Sequence, residues 1–213
     1  MSSADFLLSP EVQKVLQVLF SEPSKQFSTD ALAKTTKLGA AEVSSTVGHL
    51  IKSGILTLNG TGSDGAGAVS VNTSFVFYTE LRRIALKSFA AAEPIRKMLR
   101  TKFKTSVMRA FLLGEDDDSN VELLVVHGQL VPDHADMAAA CRRLSASIGR
   151  HLKVHVISDT KYTSLTPRDA LRAKLAGPSA FEIICKGDTK AKPQVEREGL
   201  LQIARKRLAA LTK

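Results

Sequence analysis

The hydrophobic period of this chain changes at Gly54, and that change constrains the fold more than any other feature. Before it, Val12, Val15, Leu16, Leu19 and Phe20 recur at helical spacing behind Ser9-Pro10. A helix is therefore expected over Pro10 to Ser21, ended by Glu22-Pro23-Ser24. Phe27 begins a short extended piece, and Ser28 can cap a second helix with Ala31, Leu32 and Ala33 inward. Lys37-Leu38-Gly39 makes a turn into a third helix over Ala40 to Ser53. Val43, Val47, Leu50 and Ile51 share one face of that helix, and Gly54 supplies its stop. Beyond Gly54 the period is two: Ile55-Leu56-Thr57-Leu58 and Val69-Ser70-Val71 flank the glycine-rich run from Asn59 to Gly67, which predicts a hairpin.

Two short helices joined by a tight glycine-containing turn make a helix-turn-helix unit. The order helix, helix, helix, hairpin resembles the winged-helix regulators of the arsenical-repressor type. That resemblance implies double-stranded DNA as partner, with the third helix in the major groove and the wing on the flanking backbone. The outward residues Glu42, Ser44, Ser45, Thr46, His49 and Lys52 would then face bases. Serine and threonine hydroxyls donate to base edges or phosphates, and lysine binds phosphate or guanine. Winged helices also dock proteins. The third helix carries one Lys and one Glu, and the wing tip holds Asp64 with no Arg or Lys, which favours that alternative. His49 has no second His, Cys or Asp at ligand spacing, so a metal role is not expected.

From Phe75-Val76-Phe77-Tyr78 onward, Leu81, Ile84, Ala85, Phe89, Ile95, Met98, Leu99 and Phe103 repeat at helical intervals. Glu93-Pro94 interrupts them, so one kinked helix or two in succession is expected. The basic residues of this segment read as a solvated face, and its apolar stripe is a candidate homodimer contact. Two strands follow, Val107 to Gly114 and Val121 to Val126, around the acidic loop Glu115 to Asn120. A helix over about His134 to Gly149, a strand around Val154 to Ile157, a helix from Pro167 to Leu175, a strand Phe181 to Cys185 and a terminal helix from Val195 to Leu211 complete the reading. The fold class is α+β: a winged helix-turn-helix over 1–74, a helical linker over 75–104, and a mixed-sheet domain over 105–213.

The last domain resembles minimal nucleotidyltransferases. In that family a strand ends in Gly-Ser, and the next opens with Ser-Asp-x-Asp before an apolar run. The matching residues are Gly114-Glu115, then Ser119-Asn120-Val121-Glu122-Leu123-Leu124-Val125-Val126. Leu175-Ala176-Gly177-Pro178, leading into the last strand, matches the tail of winged-helix regulators fused to such domains. The resemblance implies that Gly-Ser holds nucleotide phosphates and that the paired aspartates hold Mg²⁺. Here Glu115 replaces the serine and would repel a triphosphate, Asn120 replaces the first aspartate, and only Glu122 keeps a carboxylate. The third carboxylate of the family should fall near Val154 to Ile157, where no residue is acidic. Gly114, Glu115, Ser119, Asn120 and Glu122 thus form a degenerate nucleotide pocket, with no catalytic residue, metal or cofactor expected.

Other chemistries are absent from the sequence. Asp116, Asp117 and Asp118 read as a solvated turn, Cys141 and Cys185 as small core residues, and His151 and His155 as straddling a helix end and a strand. No P-loop, dinucleotide fingerprint or Ser-His-Asp order is present. The 30 basic against 21 acidic residues give a charge of +9, spread over both halves. That excess is compatible with nucleic acid and equally with a solvated basic surface. Apolar runs of a few residues exclude a membrane span, and two cysteines without a signal-peptide pattern point to the cytoplasm. The expected function is a DNA-binding transcriptional regulator and not an enzyme, its second domain serving as a dimerisation platform or as a platform for a small-molecule or protein effector. The rivals are a nucleotidyltransferase acting on a protein, nucleic acid or small molecule, and a protein-docking adaptor.

Overall fold

The Ser9 hydroxyl accepts the Val12 N–H and starts α1 (Pro10–Ser21), with Pro10 at the position where a missing N–H costs nothing. The computed structural model describes residues 2–61, 67–116 and 120–194. After α1 come β1 (Phe27–Ser28), α2 (Thr29–Thr36), capped by Ser28, and α3 (Ala40–Lys52). The period-two stretches form β2 (Leu56–Thr61) and β3 (Gly67–Val71), and Gly54 ends α3 with φ +75°. β3 lies between β1 and β2, antiparallel to both. The inward stripes read from the sequence close one core: Val15, Leu16, Leu19, Phe20, Leu32, Val43, Val47, Leu50 and Leu56 are all buried. Each such side chain stabilises the fold by roughly 1.5–3 kcal/mol.

The linker forms α4 (Tyr78–Lys87) and α5 (Ala92–Lys102). The break falls at Ser88 to Ala91, not at Glu93-Pro94, because Pro94 sits in the first turn of α5 where proline is tolerated. Its place has a packing cause. Ala85, Phe89 and Ala90 belong to the first core, whereas Leu86, Ala91 and Ala92 belong to the second. The chain turns where it passes from one core to the other, so this linker has no core of its own. The N-terminal residues also reach α5: the Ser2 and Ser3 hydroxyls and the Ser3 N–H donate to the Glu93 carboxylate.

The second half contains β4 (Val107–Glu115), β5 (Asn120–His127), α6 (His134–Ile148), β6 (His151–Ser158), α7 (Asp159–Thr163), α8 (Ala170–Leu175) and β7 (Phe181–Ile184). The sheet order is β6-β5-β4-β7, with β5 and β6 parallel and the other pairs antiparallel. Alternation places Ala110, Leu112, Val121, Leu123 and Val125 in a core with α5 and α6. Phe111, Leu113, Leu124 and Val126 face Tyr162, Leu171 and Leu175 on the other side. The helix expected from Pro167 begins only at Ala170, because the Asp169 carboxylate turns back to accept the Thr166 N–H and hydroxyl, each at 2.8 Å. The terminal helix expected from Val195 to Leu211 lies outside the described residues, as do Asp64 of the wing tip and Asp117, Asp118 and Ser119 of the acidic loop.

Candidate functional site

With Val43, Val47 and Leu50 turned into the first core, α3 leaves Ser44, Ser45, His49 and Lys52 exposed and Thr46 half-buried. Gly48 lies among them, and a Cβ there would meet nothing within 4 Å beyond its chain neighbours and its own helix backbone, so the surface there is open. Glu42 is spent differently. Its carboxylate accepts the Gly39 N–H at 2.8 Å and caps the helix, favourably placed at the positive end of the dipole. Lys34 on α2 and Lys37 in the turn before α3 are exposed and take part in no ion pair among the described residues. In the hairpin, Asn59 and Thr57 are tied to the Ser70 hydroxyl at 2.6 and 3.2 Å.

In the second half Glu115 ends β4, next to Gly114. Its carboxylate accepts from Arg150 Nε at 2.8 Å and pairs with Arg82 Nη2 at 3.0 Å, and Glu115 lines one cavity together with Gly114, Glu122 and Lys174. The side chain is 7% exposed and that of Arg150 is 0% exposed. Arg150 also donates to the Phe20 carbonyl at 3.1 Å and to the Ile148 carbonyl. Glu115 is thus paired with two guanidiniums at the junction of the two halves. Gly114, with φ +142°, lets the backbone turn against Ser179, whose Cβ would stand 3.2 Å from an added one. Tyr78, Thr79, Arg82, Arg83 and Ser179 border a cleft of about 380 Å³ alongside.

Asn120 closes the acidic loop, its amide and backbone N–H both donating to Asp116. Glu122, two residues on and on the same side of β5, receives the Lys174 ammonium at 2.6 and 2.7 Å. Lys153 lies 3.6 Å and His155 3.9 Å from it. The residue across from Glu122 on β6 is Lys153, one position before the range expected for a third carboxylate. Two lysines and a histidine thus stand around the one remaining carboxylate of the motif, where the family resemblance calls for acids around a metal. Among the described residues no group of three or more His, Cys, Asp or Glu is placed to hold a metal ion. His151 and His155 both lie on β6, where four residues span about 13 Å, too far for one ion. Cys141 is buried, which pushes its thiol up, whereas Cys185 is exposed and not a core residue.

The Lys174 hydrogen bond, helped by the charges of Lys174, His155 and Lys153 and opposed by burial, holds the Glu122 carboxyl below the ordinary carboxylate range. A depressed folded-state pKa stabilises the fold above the unfolded value and loses that contribution as pH falls through the depressed one. Lys174→Met is expected to cost about 1 kcal/mol or less at neutral pH, screened because the lysine side chain is 45% exposed. The difference from the parent protein should vanish in urea melts taken below the Glu122 titration. A difference that persists unchanged into acid would show that the lysine acts by packing alone.

No family model matches the chain, and no curated protein matches it. Among solved structures, it is similar to MepR, a transcription regulator of the Staphylococcus aureus multidrug efflux pump MepA, at 15% identity and a TM-score of 0.32 over 37% of this chain. It is also similar to a possible transcriptional regulator from Methanosarcina mazei, at 24% identity and a TM-score of 0.31 over 38% of this chain. The chain spans 58% and 66% of the lengths of those two proteins. Among the described residues no helix is long and apolar enough to cross a membrane.

Proposed function

We propose that the protein is a transcriptional regulator that binds double-stranded DNA through α3. The observation that carries this reading is the exposed polar face of Ser44, Ser45, His49 and Lys52, held on a three-helix core beside an antiparallel hairpin. In a major groove the hydroxyls and Lys52 meet base edges, the open surface at Gly48 admits close approach, and Lys34 and Lys37 meet phosphates. Glu42 stays a cap. The second half is a nucleotidyltransferase-like platform that does no transfer chemistry, because Glu122 is covered by cations and Glu115 is committed to the junction. It serves homodimerisation or an effector.

Fluorescence anisotropy over a salt series, on random duplex and on the protein's own upstream region, tests the reading. Binding with a steep negative salt slope and an upstream preference is expected. Ser45→Glu with Lys52→Glu should lower upstream affinity by about tenfold or more, and Lys52→Ala alone should reduce the slope by roughly one. A second reading, protein docking through the same face, is favoured by its low charge, since Glu42 and Lys52 are its only formal charges. Failure to bind either duplex at low salt would overturn DNA recognition and leave that reading.

A further inference from the structure

The apolar side of α5, Ile95 and Leu99, is buried in the second core with Phe103 beyond, so Lys97 and Arg100 stand outward at a spacing of three, and Lys104 is exposed in the turn that follows the helix. In sequence this is an ordinary solvated charge run. The fold adds cations from the turn around Asp188, which lies 88 positions beyond Arg100. The turn after β7 is pinned beside α5: Lys190 N–H donates to the Lys104 carbonyl at 2.8 Å, Thr189 Oγ1 to the Val107 carbonyl at 2.6 Å, and Arg100 Nη2 to the Asp188 carbonyl at 3.3 Å. Lys186 and Lys190 are thereby brought next to Arg100 and Lys104, and all five side chains are exposed.

The acid within this cluster is already spent. One Asp188 oxygen accepts the Cys185 N–H at 3.1 Å, and the other pairs with Arg100 at 3.4 Å. Glu93, one turn before Lys97, is held by Ser2 and Ser3. No carboxylate among the described residues pairs with Lys97, Lys104, Lys186 or Lys190. We propose that this cluster is a second, sequence-independent phosphate-binding surface that engages the backbone of duplex DNA outside the α3 contact. The inference rests on the reading of α3 as a DNA-binding element. Charge complementarity supplies the affinity. The chemistry favours a duplex because, among the described residues, no exposed large apolar side chain lies in the cluster, as insertion into a membrane surface would use. Nor, among the described residues, is there an exposed aromatic ring in it for single-stranded bases to stack on, Phe103 being buried.

The test compares the full chain with K97E/K104E/K190E and with S45E/K52E, by anisotropy on duplexes of about 30 base pairs. Charge reversal in the cluster is expected to flatten the log-salt slope on random duplex by roughly three and to leave the preference for the upstream site unchanged. The α3 variant is expected to lose the preference while keeping most random-duplex binding. K97R/K104R/K190R should retain the full slope, and K97Q/K104Q/K190Q carries the test if charge reversal lowers the melting temperature. An unchanged slope in a normally melting Gln variant overturns the proposal, whatever α3 does. A flattened slope in a protein that shows no upstream preference overturns the α3 reading and leaves the surface standing. Equal dependence on these lysines for anionic vesicles or A-form duplex RNA, with none for DNA, overturns the choice of partner.

Discussion

Arg150→Ala is expected to destabilise the protein by about 3–5 kcal/mol, the range for breaking a buried ion pair from one side. In a thermal melt this reads as a drop of roughly 10 °C for a chain of this size. The reason is the number of groups left behind. Glu115, itself nearly buried, would keep only Arg82, whose side chain is 25% exposed. The Phe20 carbonyl at the end of α1 and the Ile148 carbonyl at the end of α6 would each lose a donor where water does not reach easily. Burial pushes the guanidinium down, and the charge and hydrogen bond of Glu115 oppose that push. Arg150→Met combined with Glu115→Gln should recover part of the deficit, because removing both charges also removes their desolvation. A loss below about 1 kcal/mol for the single variant would mean that the junction is held by apolar packing and not by this cluster.

The first half of the fold is legible in sequence because its signals are local. Ser9 and Ser28 cap the helices they precede, the stripes of α1 and α3 point where their periods say, and Gly54 adopts the left-handed turn that glycine alone takes freely. The strands of the second half are legible for the same reason. The roles of single charged residues are not. Glu115 aligns with a phosphate-binding serine in the family resemblance, but its partners lie 33 residues before it and 35 after it. Glu122 is covered by Lys174 from 52 residues away, on a six-residue helix whose packing no periodicity announces. α7 has five residues, too few for a helical stripe, and was not expected. The break between α4 and α5 was tied to Pro94 because proline is the visible breaker, whereas the division of Phe89 to Ala92 between two cores sets it. Periodicity reports which face is apolar; it does not report which of two cores that face meets.

Gly149→Val should approach the Arg150 loss by a different route. Gly149 ends α6 at φ +65°, and a Cβ there would stand 2.6 Å from the Ser21 Cβ and 2.7 Å from its Oγ. The serine cannot swing away without breaking its bond to the Val18 carbonyl, made at 2.7 Å. A β-branched side chain therefore meets two penalties. The left-handed conformation costs on the order of 1–2 kcal/mol, and the C-terminus of α6 must lift from that of α1. Lifting it drags Arg150, the next residue, away from Phe20 and Glu115, so the total is expected near 3–4 kcal/mol, comparable to a broken buried pair. The two penalties separate by experiment. Gly149→Asn, tolerant of the conformation but carrying the Cβ, keeps the clash. Ser21→Gly in the Gly149→Ala background removes the clash and keeps the backbone cost. If that double variant melts no higher than Gly149→Ala alone, the close approach of α1 and α6 contributes nothing. The expected rescue has a consequence beyond stability: α1 packs on α3 through the same core that Phe20 closes. A displacement of the second half at Gly149 and Arg150 therefore bears on the helix that packs against α3.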